Sequence, residues 1–165
     1  VELAADLHSF GAGRQLDDNA HIMLRYEGGA RGMLWSSQVA PGNENGLRLR
    51  IYGDKGGLEW AQEDPNYLWF TPHGEAKRLI RRNGAGAMDA ANAVSRIPSG
   101  HPEGYLEGFA NIYTAAADAI RAVQSGASRA DAMGLLPGID DGLAGMAFIS
   151  ACVASNSKNA AWVAL

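Results

Sequence analysis

The sequence predicts an α+β domain: an open-faced, mostly antiparallel β-sheet with helices packed on one face. Apolar and polar residues alternate with period two through the first half of the chain, which marks strands buried on one side. The links between these stretches are too short for the crossovers that parallel pairing requires. Apolar residues at helical spacing begin only after His101. With 165 residues and 47% apolar content, residues 1–165 are sized for a single domain around one core.

In the first strand, Val1, Leu3, Ala5 and Leu7 share one side, while Glu2, Asp6 and His8 take the other. Ala20, Ile22, Leu24 and Tyr26 then alternate with His21, Met23 and Arg25. Glu27-Gly28-Gly29 suits a tight hairpin, because glycine tolerates positive φ. A return strand is predicted over 30–40, followed by a loop around Asn43 and Asn45. Leu47, Leu49 and Ile51 alternate with Arg48, Arg50 and Tyr52, the clearest strand of all. Shorter strands over 58–61, 67–71 and 75–81 complete a meander, with a further one at Trp162, Ala164 and Leu165.

Residues 82–100 are rich in Gly, Ala, Asn and Ser, and read as a long surface loop holding at most one helical turn. A helix is expected from Pro102, with Glu103 favouring its positive end and Gly126 closing it. Its apolar face would be Leu106, Phe109, Ile112 or Tyr113, Ala116, Ile120 and Val123. A second helix over 139–154 would bury Ile139, Leu143, Met146 and Val153. Two helices roof only one face of such a sheet. The other, carrying Met33, Trp35 and Tyr52, calls for a neighbour: another domain or a second copy.

Net charge is −4 with the two signs interspersed, which argues against nucleic acid or a membrane surface as partner. The pairs Lys77-Arg78 and Arg81-Arg82 read as a solvated strand end. Cys152 is the only cysteine, so no internal disulfide is possible and a cytoplasmic setting is expected; it reads as a small buried hydrophobe. No apolar run would span a bilayer, and no signal-peptide core is present. The opening Val1-Glu2-Leu3, without an initiator Met, fits a piece of a longer protein. Gly11-Ala12-Gly13 and Gly84-Ala85-Gly86 begin a dinucleotide fingerprint, but Leu16 and Asp89 stand where its third glycine belongs.

Three segments carry a resemblance over nearly the whole chain. They are Ser36-Ser37-Gln38-Val39-Ala40 with Gly42 and Asn45, running into Leu47 through Gly53; Gly56-Gly57-Leu58-Glu59-Trp60; and Pro98 through Tyr105, continuing to Phe109-Ala110-Asn111-Ile112-Tyr113. Asp140-Asp141-Gly142 adds to them. Together they resemble the C-terminal domain of the Gfo/Idh/MocA family of NAD(P)-dependent oxidoreductases. The resemblance implies the glucose-fructose oxidoreductase-like type of open sheet, without the Rossmann domain. It further implies a parent enzyme, a sugar or polyol (inositol-like) dehydrogenase, whose N-terminal Rossmann domain binds NAD or NADP. In such a parent this chain would shape the substrate pocket and assemble a dimer or tetramer through the free sheet face. The family's Glu-Lys-Pro lysine is absent, and its Asp and His would fall ahead of Val1. No catalytic, cofactor-binding or metal residue is therefore assigned, and the chain alone is expected to bind no cofactor and transfer no hydride. A freestanding sheet that only assembles partners is the alternative, and a parent using its cofactor for glycoside cleavage is a third reading.

His101 is the first candidate for substrate binding. Standing before Pro102, it would sit at a helix N-terminus, where the dipole favours an uncharged ring able to donate and accept a hydrogen bond. Gln38, Asn43 and Asn45 cluster at a strand end and its loop, and amides recognise hydroxyls without adding charge. The simpler reading of Asn43 and Asn45 is turn formation. Trp35, Trp60 and Trp69 read as core or interface, and Asp17, Asp18 and His21 as a polar turn rather than a metal site.

Overall fold

The structure is a computed structural model describing residues 1–134 and 136–165. Its strands are β1 (Glu2–His8), β2 (Asn19–Arg25), β3 (Arg31–Ser37), β4 (Arg48–Gly53), β5 (Gly56–Ala61), β6 (Tyr67–Pro72) and β7 (Arg78–Arg81). The helices α1 (Asp89–Ala93), α2 (Tyr105–Gln124), α3 (Arg129–Met133) and α4 (Ile139–Asn156) follow, and β8 (Val163–Ala164) ends the chain. The α+β class is as expected, and every pairing is antiparallel. The strands do not form one meander, however. They lie in two four-stranded sheets, ordered β3-β2-β1-β8 and β4-β5-β6-β7. The chain divides accordingly into two compact units, Val1–Gly42 with Pro137–Leu165, and Asn43–Leu136.

In the first unit, the register sets Leu3 beside Leu24, Ala5 beside Ile22 and Leu7 beside Ala20, so the sequence alternation becomes one apolar face. The helix α4 packs on it: Leu3, Ala5, Ala20, Ile22, Ala151 and Cys152 are the buried cluster, flanked by Leu7, Leu24, Phe148 and Val163. Because β8 is two residues long, it pairs only with Glu2 and Leu3 of β1. Beyond it, α4 finishes the strand edge with side chains. Ser155 Oγ accepts from Ala5 N (2.9 Å) and donates to Ala161 O (2.6 Å), and Asn156 Oδ1 accepts from Leu7 N (2.9 Å). Cys152 is buried, as read from the sequence, and burial raises its thiol pKa.

The expected buried side of α4 was wrong. Ile139, Leu143, Met146 and Val153 are exposed, whereas Ala151, Cys152 and Ser155 are buried. This helix is apolar almost all round, so spacing singles out no face. Its small side chains are what let α4 approach β1 closely. The sheet face turned away from α4 carries Met23, Met33 and Trp35, and Met33 is 78% and Trp35 58% exposed. Met33 and Trp35 of the face expected to be bare are exposed here, whereas Tyr52, expected on the same face, belongs to the other sheet in the second unit.

In the second unit, Leu49, Trp60, Leu68 and Ile80 form one row of the sheet, and Ile51, Leu58 and Phe70 share its face. Two glycines shape the sheet. Gly56 has φ 155°, and a Cβ there would meet Thr71 O at 2.5 Å, so only glycine fits. Gly57 lies under the Tyr52 ring, whose Cδ1 stands 2.7 Å from where a Cβ would be.

The helix α2 begins at Tyr105, not at Pro102. Its N-cap is Gly104, whose N–H donates to Glu107 Oε2 at 2.9 Å. That bond, first among its causes, holds the Glu107 carboxyl below its ordinary pKa. Gly126 ends the helix at φ 99°, as expected. The expected buried stripe of α2 is also wrong: Leu106, Phe109, Ile112, Tyr113 and Ile120 are exposed, Leu106 by 77%, and Ala119 is the buried residue. The reason is the identity of its neighbour. Within its unit α2 meets α3, only five residues long, and Ala115, Ala119 and Ala122 line an open groove of about 460 Å³ beside α3. Among the described residues, no helix is long and apolar enough to cross a membrane.

Candidate functional site

The segment between β7 and α2 is held by a network of side-chain hydrogen bonds. Two prolines, Pro98 and Pro102, bracket its tip and supply no N–H, so the loop has few backbone donors for its carbonyls. Arg82 fills that need. Its guanidinium donates to Ile97 O (2.5 Å), Pro98 O (3.3 Å) and His101 O (2.8 Å), and its Nε donates to Asn66 Oδ1 (2.8 Å). It also pairs with Glu103, whose side chain is 4% exposed against 15% for Arg82. Glu103 in turn accepts from Arg96 N (2.6 Å) and Ile97 N (3.2 Å), closing the loop on itself. Arg96 reaches Asn111 Oδ1 (2.7 Å) and Thr114 Oγ1 (2.8 Å) on α2, anchoring the loop's first end.

Two sequence readings need correction here. Arg82 is no solvated strand end; it is a largely enclosed cation at the centre of a loop. Glu103 does not serve a helix dipole, because α2 starts beyond it at Tyr105. The same shift moves His101 out of the first helical turn, so the dipole argument for its ring does not apply; the dipole end is occupied by Gly104 and Glu107. His101 sits instead in a bend before the helix, exposed, its N–H donating to Pro98 O at 3.3 Å. An imidazole presented on a braced loop can still donate to and accept from a hydroxyl.

The other candidates lie elsewhere. Gln38 belongs to the first unit, just past β3, and its N–H donates to Asp18 O at 2.7 Å. Asn43 and Asn45 belong to the second unit with His101. The Asn45 and Gly46 N–H groups both donate to Glu63 Oε1 (3.2 and 3.0 Å), and the Asn43 side chain lies against Gly46, which has φ 64°. Asn43 and Asn45 are thus engaged in a turn, whereas His101 is anchored to Arg82. Gln38 is not brought together with them within a unit.

Asp18 also has a structural task. Its two oxygens accept from Phe10 N (2.9 Å) and Gly11 N (2.8 Å), which lowers its pKa, with Arg14 nearby adding to the effect. Trp35 donates to Asn19 Oδ1 (2.9 Å), Trp60 donates to Pro65 O (3.2 Å), and Lys77 stands 5.0 Å from the Trp69 ring centre. Arg82, Glu103, Asn66 and Arg96 were the residues that sequence reasoning missed. The readable signal was Pro98 and Pro102 flanking a short loop, which leaves carbonyls that some side chain must satisfy.

A family described as "Oxidoreductase family, C-terminal alpha/beta domain" matches residues 3–165. An uncharacterized oxidoreductase, YfiI, of Bacillus subtilis is 37% identical over 163 residues, covering 98% of this chain and 42% of that protein. An oxidoreductase from Sinorhizobium meliloti, solved as a crystal structure, is 62% identical with a TM-score of 0.92, covering 99% of this chain and 46% of the other. An inositol dehydrogenase homolog from Azotobacter vinelandii, complexed with NADH and myo-inositol, is 33% identical with a TM-score of 0.91, over 99% of this chain and 44% of that one. The chain therefore spans less than half the length of these relatives. A dinucleotide fold needs a glycine-rich turn between a parallel strand and a helix N-terminus. All strands here pair antiparallel and α2 follows a loop, so the described residues form no dinucleotide-binding βαβ unit. With residues 3–165 matched and relatives 37% and 62% identical along almost its full length, the chain belongs to the Gfo/Idh/MocA family of oxidoreductases, as its C-terminal α/β domain.

Proposed function

We propose that this chain is the substrate-binding and assembly half of an NAD(P)-dependent sugar or polyol dehydrogenase. The nicotinamide cofactor would be bound by an N-terminal Rossmann domain of the same cytoplasmic protein and would supply the hydride chemistry. This half would hold the polyol. His101, with Asn43 and Asn45 of the same unit as further candidates, would hydrogen-bond substrate hydroxyls, and Gln38 is a separate candidate in the first unit.

The observation that carries the reading is the His101 loop: an exposed imidazole on a segment braced by a buried ion pair. The Azotobacter relative, crystallised with myo-inositol, supports an inositol-like substrate. Assembly would use the sheet face bearing Met23, Met33 and Trp35, whose exposure a second copy would remove.

The test is steady-state kinetics of the complete enzyme with NAD+ or NADP+ against a panel of cyclic polyols and aldoses. His101→Ala is expected to raise the polyol KM about tenfold while leaving the dinucleotide KM unchanged. An enzyme that oxidises none of the panel, or a variant with an unaltered polyol KM, overturns the reading. Sedimentation finding only monomers at high concentration removes the assembly half of it.

A further inference from the structure

The loop that carries His101 has almost no internal scaffold of its own. Among the described residues, His101 N to Pro98 O at 3.3 Å is its only backbone bond across the tip, and Gly100 turns there at φ 91°. What orders it is charge. Three carbonyls, of Ile97, Pro98 and His101, converge on the Arg82 guanidinium, and the Glu103 carboxylate both pairs with Arg82 and gathers the Arg96 and Ile97 N–H groups. A planar fork with five donors can satisfy several acceptors at once, whereas an ammonium is a point charge on a shorter reach.

We infer that Arg82 is the positioning residue of His101: its guanidinium, held by Glu103 and Asn66, fixes the backbone at His101 and so sets where the exposed ring stands. The geometry is direct, since Arg82 Nη2 donates to the carbonyl of His101 itself at 2.8 Å. Arg82 touches no substrate in this scheme; it acts through the loop. The inference rests on the proposed polyol role of His101 for its kinetic consequence, but not for its structural one.

The experiment compares Arg82→Lys, His101→Ala and the double variant in the complete enzyme, with myo-inositol and NAD+ as probes. Amide exchange over residues 96–104 and the NMR signals of the His101 ring are followed in parallel. Arg82→Lys keeps the charge but loses the fork. It is expected to speed exchange in the loop and to raise the myo-inositol KM, each about tenfold, with β4–β6 protection and the NAD+ KM unchanged. The double variant should be no worse than His101→Ala alone, because both changes act through one ring. Unchanged loop exchange, or additive KM effects, overturns the inference. A wild-type enzyme inert toward myo-inositol counts against the polyol reading instead. In that case loop exchange and the ring signals decide: ring signals in Arg82→Lys identical to wild type overturn the positioning role, and signals collapsed toward those of a free histidine support it.

Discussion

The centre of the unit formed by Val1–Gly42 and Pro137–Leu165 is apolar, built from Leu3, Ala5, Ala20, Ile22, Ala151 and Cys152. In the unit Asn43–Leu136 the residues buried most completely are Ala119 and Glu103, and its organising contact is the Arg82–Glu103 pair. In one unit a helix is pressed onto a sheet; in the other a cation is threaded through the loop that precedes α2. The difference teaches where precision is kept. Apolar burial is non-directional and tolerates small shifts, whereas a forked guanidinium satisfied by five oxygen partners fixes a backbone path. The candidate binding residue His101 lies on the second kind of support.

Substitutions that strike each support separately sharpen this contrast. Removing one partner of the buried pair should cost most. Glu103→Ala leaves Arg82 uncompensated and is expected to destabilise by about 3–5 kcal/mol, measured by urea unfolding, with the first loss of amide protection in residues 96–104. A cost below about 1 kcal/mol would show that solvent already screens the pair. Leu3→Ala, in the apolar centre, is expected to cost about 3 kcal/mol and to loosen β1, β2 and α4 together. If protection falls instead over β4–β7, the two units are not supported independently.

Ser155→Ala is subtler. It keeps α4 in place but leaves the Ala5 N–H and the Ala161 carbonyl without their side-chain partner, and should cost about 1–2 kcal/mol. An unchanged unfolding midpoint would mean that water replaces the hydroxyl. The smallest effect concerns pH. Asp18 in the folded state has a lowered pKa, held first by the Phe10 N–H and then by Gly11. Its contribution is therefore present above the ordinary aspartate pKa and is lost as the pH falls through the lowered folded value. Asp18→Asn should flatten that part of the acid limb, and an identical acid limb in variant and parent would remove the carboxylate from the account.

Much of the strand architecture was legible in the sequence. Leu3, Ala5, Ile22 and Leu24 alternate because one face is buried, and the pairing of β1 with β2 follows that alternation. Gly28 and Gly29 announced a turn that needs positive φ, and they adopt 77° and 94°. The two long helices, α2 and α4, were legible as helices but not as surfaces, and the short α3 was not read from the sequence at all. Leu106, Phe109 and Ile112 are spaced like a core stripe, yet they are exposed, and the buried residue of α2 is Ala119. In α4 a helix apolar on every side gave spacing nothing to choose between. The candidate site was the least legible part. Pro102 looked like a first helical residue, but the Glu103 carboxylate is drawn back to Arg82 and to the Arg96 and Ile97 N–H groups, and the helix waits until Tyr105.

From the sequence alone came the class of fold, the strands, their turns, the bare sheet face with Met33 and Trp35, and the family likeness, all of which follow from side-chain periodicity and local backbone preference. Only the tertiary structure decided that the strands separate into two sheets, that small residues rather than large ones bury α4, and that Arg82 lies inside a loop opposite Glu103. Periodicity records which side chains share a face of one element. Burial and ion pairing depend on which surfaces the folded chain brings together, and that information is carried by no single stretch of sequence.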